Sequence, residues 1–169
     1  MSRPRIKISR QPVDWGIELA GLAILLVIVA LVISQYGGLP DRIPSHYDAS
    51  GTPDNYGDKS SLLLLLGVTI ATSAGLFILN LFPHIFNYPV TITEANAEFQ
   101  YKRASRLIRM LNTIIIASFS YIIYSTLQTA IGSQSGLGTF FMPVFLIATF
   151  APIIWYMLDI FVFNKSKNS

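Results

Sequence analysis

Residues 19–33 read LAGLAILLVIVALVI, with no charged residue and no proline. A bilayer core is crossed by roughly 20 mostly apolar residues in a helix, and the run widened to 14–36 reaches that length. Three more runs qualify, at about 60–82, 107–131 and 139–163; the second opens on five consecutive leucines, Leu62 to Leu66. None shows the period-two alternation of a membrane barrel strand. The four runs predict an all-α integral membrane bundle of four transmembrane helices. Residues 14–163 would form one domain between a basic N-terminus, 1–13, and a short tail, 164–169.

Composition agrees. Of 169 residues, 52% are hydrophobic and 12% charged, about half the charge of a soluble domain. The net charge of +3 does not indicate a nucleic-acid partner, because the basic residues flank the apolar runs, where lipid headgroups lie. With no cysteine, disulfides, thiolate metal sites and cysteine nucleophiles are excluded.

Orientation follows from the distribution of Lys and Arg. Arg3, Arg5, Lys7 and Arg10 precede the first run; Lys102, Arg103, Arg106 and Arg109 lead into the third; Lys165 and Lys167 follow the fourth. The opposite side has only Arg42 and Lys59, against Asp41, Asp48, Asp54 and Asp58. Both termini are expected in the cytoplasm, with the Pro/Gly-rich loop between the first two helices outside. The first run is long for the apolar centre of a cleaved signal peptide, and no A-x-A-like site follows it.

Helices in lipid associate through small residues and hydrogen bonds. Gly67, Ala71 and Gly75, and likewise Gly16 and Ala20, are spaced to form packing seams inside the bundle. Thr113, Ala117, Ser120, Tyr124 and Gln128 share one face of the third helix, expected to supply interhelical bonds; a partly hydrated cavity is the alternative. Pro152 takes away the amide that would bond the Ala148 carbonyl, which predicts a bend. Glu18, Arg106, Arg109 and Asp159, with Asp14 nearby, fall at one depth on the cytoplasmic side and are expected to form an ion-pair cluster. No Asp, Glu, His, Lys or Arg lies near the middle of any span, which weighs against a proton-coupled transporter.

Two connections remain. In the first, 37–59, the pairs Leu-Pro, Ile-Pro, Ser-Gly and Thr-Pro bias the backbone away from helix, and an ordered cap over the bundle is expected. His46, Asp48, Asp54 and Asp58 are the only metal-ligand candidates, but their spacing fits neither an EF-hand nor a two-histidine zinc motif. No metal and no cofactor is assigned; Asp48 and Asp54 are expected in Asx-turns. In the second connection, Thr91 and Glu94 have capping-box spacing, which predicts a helix start near Ile92, with Phe99 and Tyr101 as interface anchors.

The first connection carries a motif: Leu39, Pro40, Ile43, Pro44, His46, Tyr47, Asp48, Gly51, Pro53, Asp54 and Lys59. It resembles the signature loop of the bacterial membrane family called domain of unknown function 1648, in which Tyr47 replaces the usual Phe. Residues 87–109, with Tyr88-Pro89, Asn96-Ala97-Glu98 and Tyr101, look like the segment before that family's third helix. The resemblance implies a bacterial cell-membrane protein akin to the first module of SdpI-like immunity proteins, which guard a producer against its secreted toxin; a counterpart of their second module is not expected here. The expectation is therefore a non-enzymatic multi-pass protein that senses, or confers immunity, through the 39–59 loop. A secreted toxin or peptide, or another membrane protein, would be its partner beside the lipid bilayer, and oligomerisation stays open. Transport of a small solute or lipid, directly or as an accessory subunit, is the alternative; an enzyme at the outer face ranks third.

Overall fold

The computed structural model describes residues 3–163; Lys165, Lys167 and the expected tail at 164–169 lie outside the described residues. Among the described residues four helices are long and apolar enough to cross a membrane, at Pro12–Gly38, Ser60–Leu79, Ala97–Ala130 and Phe141–Phe161. The chain is a membrane protein by this measure, and mostly helical.

Helix α1 (Pro12–Gln35) opens on Pro12, whose fixed φ suits a first helical position. One turn in, the Asp14 carboxylate accepts the Gln11 amide at 2.8 Å, satisfying a donor the helix leaves unpaired. Helix α2 (Ser60–Leu79) follows, then α3 (Ala97–Ala130) and α4 (Phe141–Leu158). Helix α4 runs through Pro152 and closes in a π-helical turn, Asp159–Phe163.

The all-α expectation needs one correction. The first connection contains two antiparallel strands, β1 (Arg42–Tyr47) and β2 (Pro53–Asp58). Its prolines obscured this, because proline cannot donate to a ladder; Pro44 and Pro53 are tolerated here because a two-stranded sheet consists of edge strands only.

Helix α3 is the axis. Helices α1, α2 and α4 each pack chiefly against it. At 34 residues it is about 51 Å long, well beyond a hydrocarbon core of about 30 Å. Its first turns carry Glu98, Lys102, Arg103 and Arg106 and lie at the end that meets the N-terminal segment, here the basic end. There Ala97, Tyr101 and Ala104 form a small core with Phe86 and Tyr88. Tyr101 is fully buried and donates to the Pro4 carbonyl at 3.0 Å, so it is a core residue rather than an interface anchor. The helix does not begin near Ile92. Asn96 precedes its first turn, accepting the Thr93 amide at 2.8 Å and donating to the Thr91 carbonyl at 3.0 Å. An asparagine thus organises the turn that the Thr91/Glu94 spacing suggested.

The packing seams are elsewhere too. Gly16, Gly67 and Gly75 have open space where a Cβ would stand, and Ala20 and Ala71 are exposed. The close approach of α1 to α3 is at Gly21, where a Cβ would meet Thr113 Oγ1 at 3.0 Å. Beside it the Thr113 hydroxyl donates to the Ile17 carbonyl at 3.0 Å. Small residues at four-residue spacing mark a permissible contact, but a helix with one neighbour on α3 has only one face to spend on it.

Candidate functional site

The hairpin is fastened to the bundle at both ends. Leu39 and Ile43, 5% and 0% exposed, enter the core formed by Ile28, Leu62, Ile123 and Leu127. Tyr47, at the far end of β1, shares a hydrogen bond with the Thr126 hydroxyl of α3 at 2.8 Å. Burial pushes the Tyr47 phenol above its ordinary pKa, so it stays neutral and able to donate. Lys59 closes the base, 3.3 Å from the Asp41 carboxylate and over the Tyr36 ring.

The turn between the strands is built by Asp48. Its carboxylate accepts the Ser50 hydroxyl at 2.6 Å and the Ser50 and Thr52 amides at 2.8 and 2.9 Å. These donors, the Ser50 hydroxyl foremost, hold its pKa below the ordinary 3.8. Asp58 acts similarly at the base: its carboxylate accepts the Ser60 amide at 2.8 Å and is likewise lowered, chiefly by Ser60. Asp54 is not in an Asx-turn. It reaches across the hairpin to His46, Nδ1 to Oδ1 2.6 Å, with the two side chains 67% and 46% exposed.

The eleven motif positions therefore divide by role. Leu39, Ile43, Pro44 and Gly51 are buried and hold the hairpin on the bundle. Pro40, His46, Asp48 and Asp54 are exposed; Asp48 is committed to the turn, which leaves the His46–Asp54 pair as the accessible polar pair. Asn55 and Tyr56, also exposed, complete that surface; sequence reading missed them because nothing in their spacing reveals which residues β2 turns outward. Among the described residues no three His, Asp or Glu side chains come together.

The charges at the basic end pair specifically. Arg106 Nε lies 2.8 Å from Asp14 Oδ1 and Arg109 Nε 2.7 Å from Glu18 Oε1. Arg10, which sequence reading left out of the cluster, binds the other Glu18 oxygen at 2.8 Å. Arg106 also donates to the Gln11 carboxamide oxygen at 2.6 Å. Asp159 belongs to a separate pair with Arg103, one turn along α3. Asp14 and Arg109 are 4% and 6% exposed. Charges so deep persist only when paired and hydrogen-bonded, so the arrangement suits a structural clasp of α1 and α4 onto α3.

The polar face of α3 is used inside the bundle only in part. Thr113 holds α1, and the neighbouring Ser125 hydroxyl donates to the Gly136 carbonyl at 2.7 Å. Ser120 is buried without a hydrogen-bond partner among the described residues, and Tyr124 is exposed.

The family model described as Domain of unknown function (DUF1648) matches residues 22–70, from within α1 through the hairpin into α2. The resemblance carried by the 39–59 motif is thus to this family, and the match stops short of residues 87–109. An "Uncharacterized protein" of Archaeoglobus fulgidus is 26% identical over 172 residues, an alignment spanning 90% of this chain and 92% of the relative. No solved structure matches.

Proposed function

We propose that this chain is a non-enzymatic multi-pass protein of the bacterial plasma membrane, with both termini cytoplasmic, and that its hairpin recognises a molecule arriving at the outer face. Protection against a secreted, membrane-active peptide is the concrete form. The observation that carries this is the division of the hairpin: its apolar residues are locked in the bundle while His46, Asp54, Asn55 and Tyr56 stand outward. A surface held rigid before binding spares the ordering cost that a flexible loop incurs. The accumulation of Lys and Arg at the opposite end supports the orientation.

Two measurements test this. Ala49→Cys, exposed in the hairpin turn, should react with a membrane-impermeant maleimide in intact cells, and Ala95→Cys at the basic end only after lysis; the reverse pattern ends the proposal. Cells expressing the chain should then survive a panel of membrane-active peptides better than cells without it. The double variant His46→Ala/Asp54→Ala should lose that protection at unchanged membrane abundance. Equal survival with and without the chain would remove the immunity form, and full protection by the variant would remove the hairpin from it.

A further inference from the structure

The space between α1 and α2 has features that hairpin recognition leaves unused. Both helices pack on α3 and, among the described residues, hardly on each other. The gap is a cleft of about 580 Å³, within the roughly 300–1,000 Å³ of small-molecule sites. Most of its wall is aliphatic, including Leu22, Leu25, Ile70 and Ile116. Its chemistry changes at the basic end, where Arg10, Glu18, Arg109 and Asn80 line it.

That polar end is unbalanced. Glu18 is shared by two guanidinium groups, Arg109 at 2.7 Å and Arg10 at 2.8 Å, while the charge of nearby Asp14 is taken up by Arg106. One positive charge is left over among the lining residues. Arg10 bridges the mouth, its guanidinium 4.7 Å from the Trp15 ring of α1 and 6.0 Å from the Phe77 ring of α2. Asn80, 8% exposed, and Asn112 both line the cleft, and each has a carboxamide oxygen without a hydrogen-bond partner among the described residues. Buried oxygens of this kind are normally bonded, so the site asks for a donor as well as an anion.

We propose that the cleft holds one anionic phospholipid. Its phosphate lies beside Arg10, its headgroup hydroxyls serve the asparagines, and one acyl chain runs between α1 and α2. An acyl chain gains little by leaving lipid for an equally apolar groove, so selectivity resides in the headgroup. This site is separate from the hairpin, and neither reading depends on the other.

Native mass spectrometry of the full chain tests it, with phosphatidylglycerol and phosphatidylcholine of identical acyl chains supplied in equal amounts. A single phosphatidylglycerol should be retained about fivefold over phosphatidylcholine, the factor expected from one basic residue near an anionic group. Arg10→Gln should bring the ratio close to one. Ala74→Phe, which fills the cleft, should lose the adduct; Gly75→Phe, one position on and pointing into open space, should keep it. Leu22→Trp serves as a second filler should Ala74→Phe fail to fold. Excess glycerol 3-phosphate should leave the adduct in place. Equal retention of both lipids by the unmodified chain, an undiminished adduct in the filled variants, or displacement by glycerol 3-phosphate would each overturn the proposal.

Discussion

The Gly51 carbonyl accepts the Leu137 amide at 2.8 Å, tying the hairpin turn to the loop between α3 and α4. Both sides of this tie are made of glycine for a geometric reason. Gly51 has φ +82° and Gly138 φ +79°, and a Cβ on Gly51 would lie 2.6 Å from the Gly138 carbonyl oxygen. The first half of the chain thereby touches the second outside the helices as well as through α3.

Gly51→Ala combines a left-handed backbone with a clash, and should cost more than the about 1–3 kcal/mol of left-handed strain alone. Gly132→Ala has the strain, at φ +77°, but open space around it. Thermal unfolding of the detergent-solubilised protein should therefore fall further for Gly51→Ala; equal losses would mean that the two loops do not press together.

Where α1 meets α3, Gly21→Val places a side chain against Thr113 and Ile116 and should destabilise by about 1–3 kcal/mol, as overpacking does. Gly16→Val, in open space, should be close to neutral in the same unfolding measurement. A neutral Gly21→Val would place the helix contact elsewhere.

Removing one partner of a buried ion pair costs about 3–5 kcal/mol, so Glu18→Arg and Arg109→Glu should each reduce the folded fraction on size exclusion sharply. Combining them restores the contact between positions 18 and 109, but leaves a cation at 18 beside Arg10 and a carboxylate at 109 near Asp14, from which Arg109 Nη1 is 3.9 Å away. Partial recovery is expected. No recovery at all would show that Glu18 and Arg109 do not act as a pair.

Asp48 sets a pH limit on the hairpin turn. Its folded pKa is depressed below 3.8, so its contribution is complete above the unfolded value and is lost as pH falls through the folded value. The Ser50 and Thr52 amide resonances should shift together with a midpoint below 3.8, and Asp48→Asn should remove the transition. A midpoint at or above 3.8 would contradict the three hydrogen bonds seen at the carboxylate.

The spans were legible because apolar length is a property of sequence alone, and the pairing charges were legible because up-and-down helices bring Glu18, Arg106 and Arg109 to one depth. What remained hidden depended on rotation about each helix axis. Gly16 has seam spacing in the sequence and Gly21 does not stand out, and only the facing Thr113 marks Gly21 as the contact. Asp159 pairs with Arg103 rather than Arg106, a difference of one turn of α3 that a sequence estimate of depth does not resolve. The hairpin was masked by Pro44 and Pro53, whose usual exclusion from sheets does not apply to a ribbon of two edges. Its recognition motif also looked uniform, since Leu39 and Ile43 inside the bundle and His46 and Asp54 outside it alternate too irregularly to be sorted by period.

The position of α3 in the chain has a consequence for synthesis. The helix that the others pack on is third to emerge, so α1 and α2 enter the lipid before their shared partner exists, with little to hold them to each other. The hairpin between them then has only part of its foundation: Ile28 and Leu62 are in place, but Ile123 and Leu127, the other side of the core that Ile43 enters, have not yet been translated. A chain arrested after α2 should accordingly be a membrane-embedded but unassembled species, and the arrival of α3 converts two loose spans and a slack ribbon into a single body.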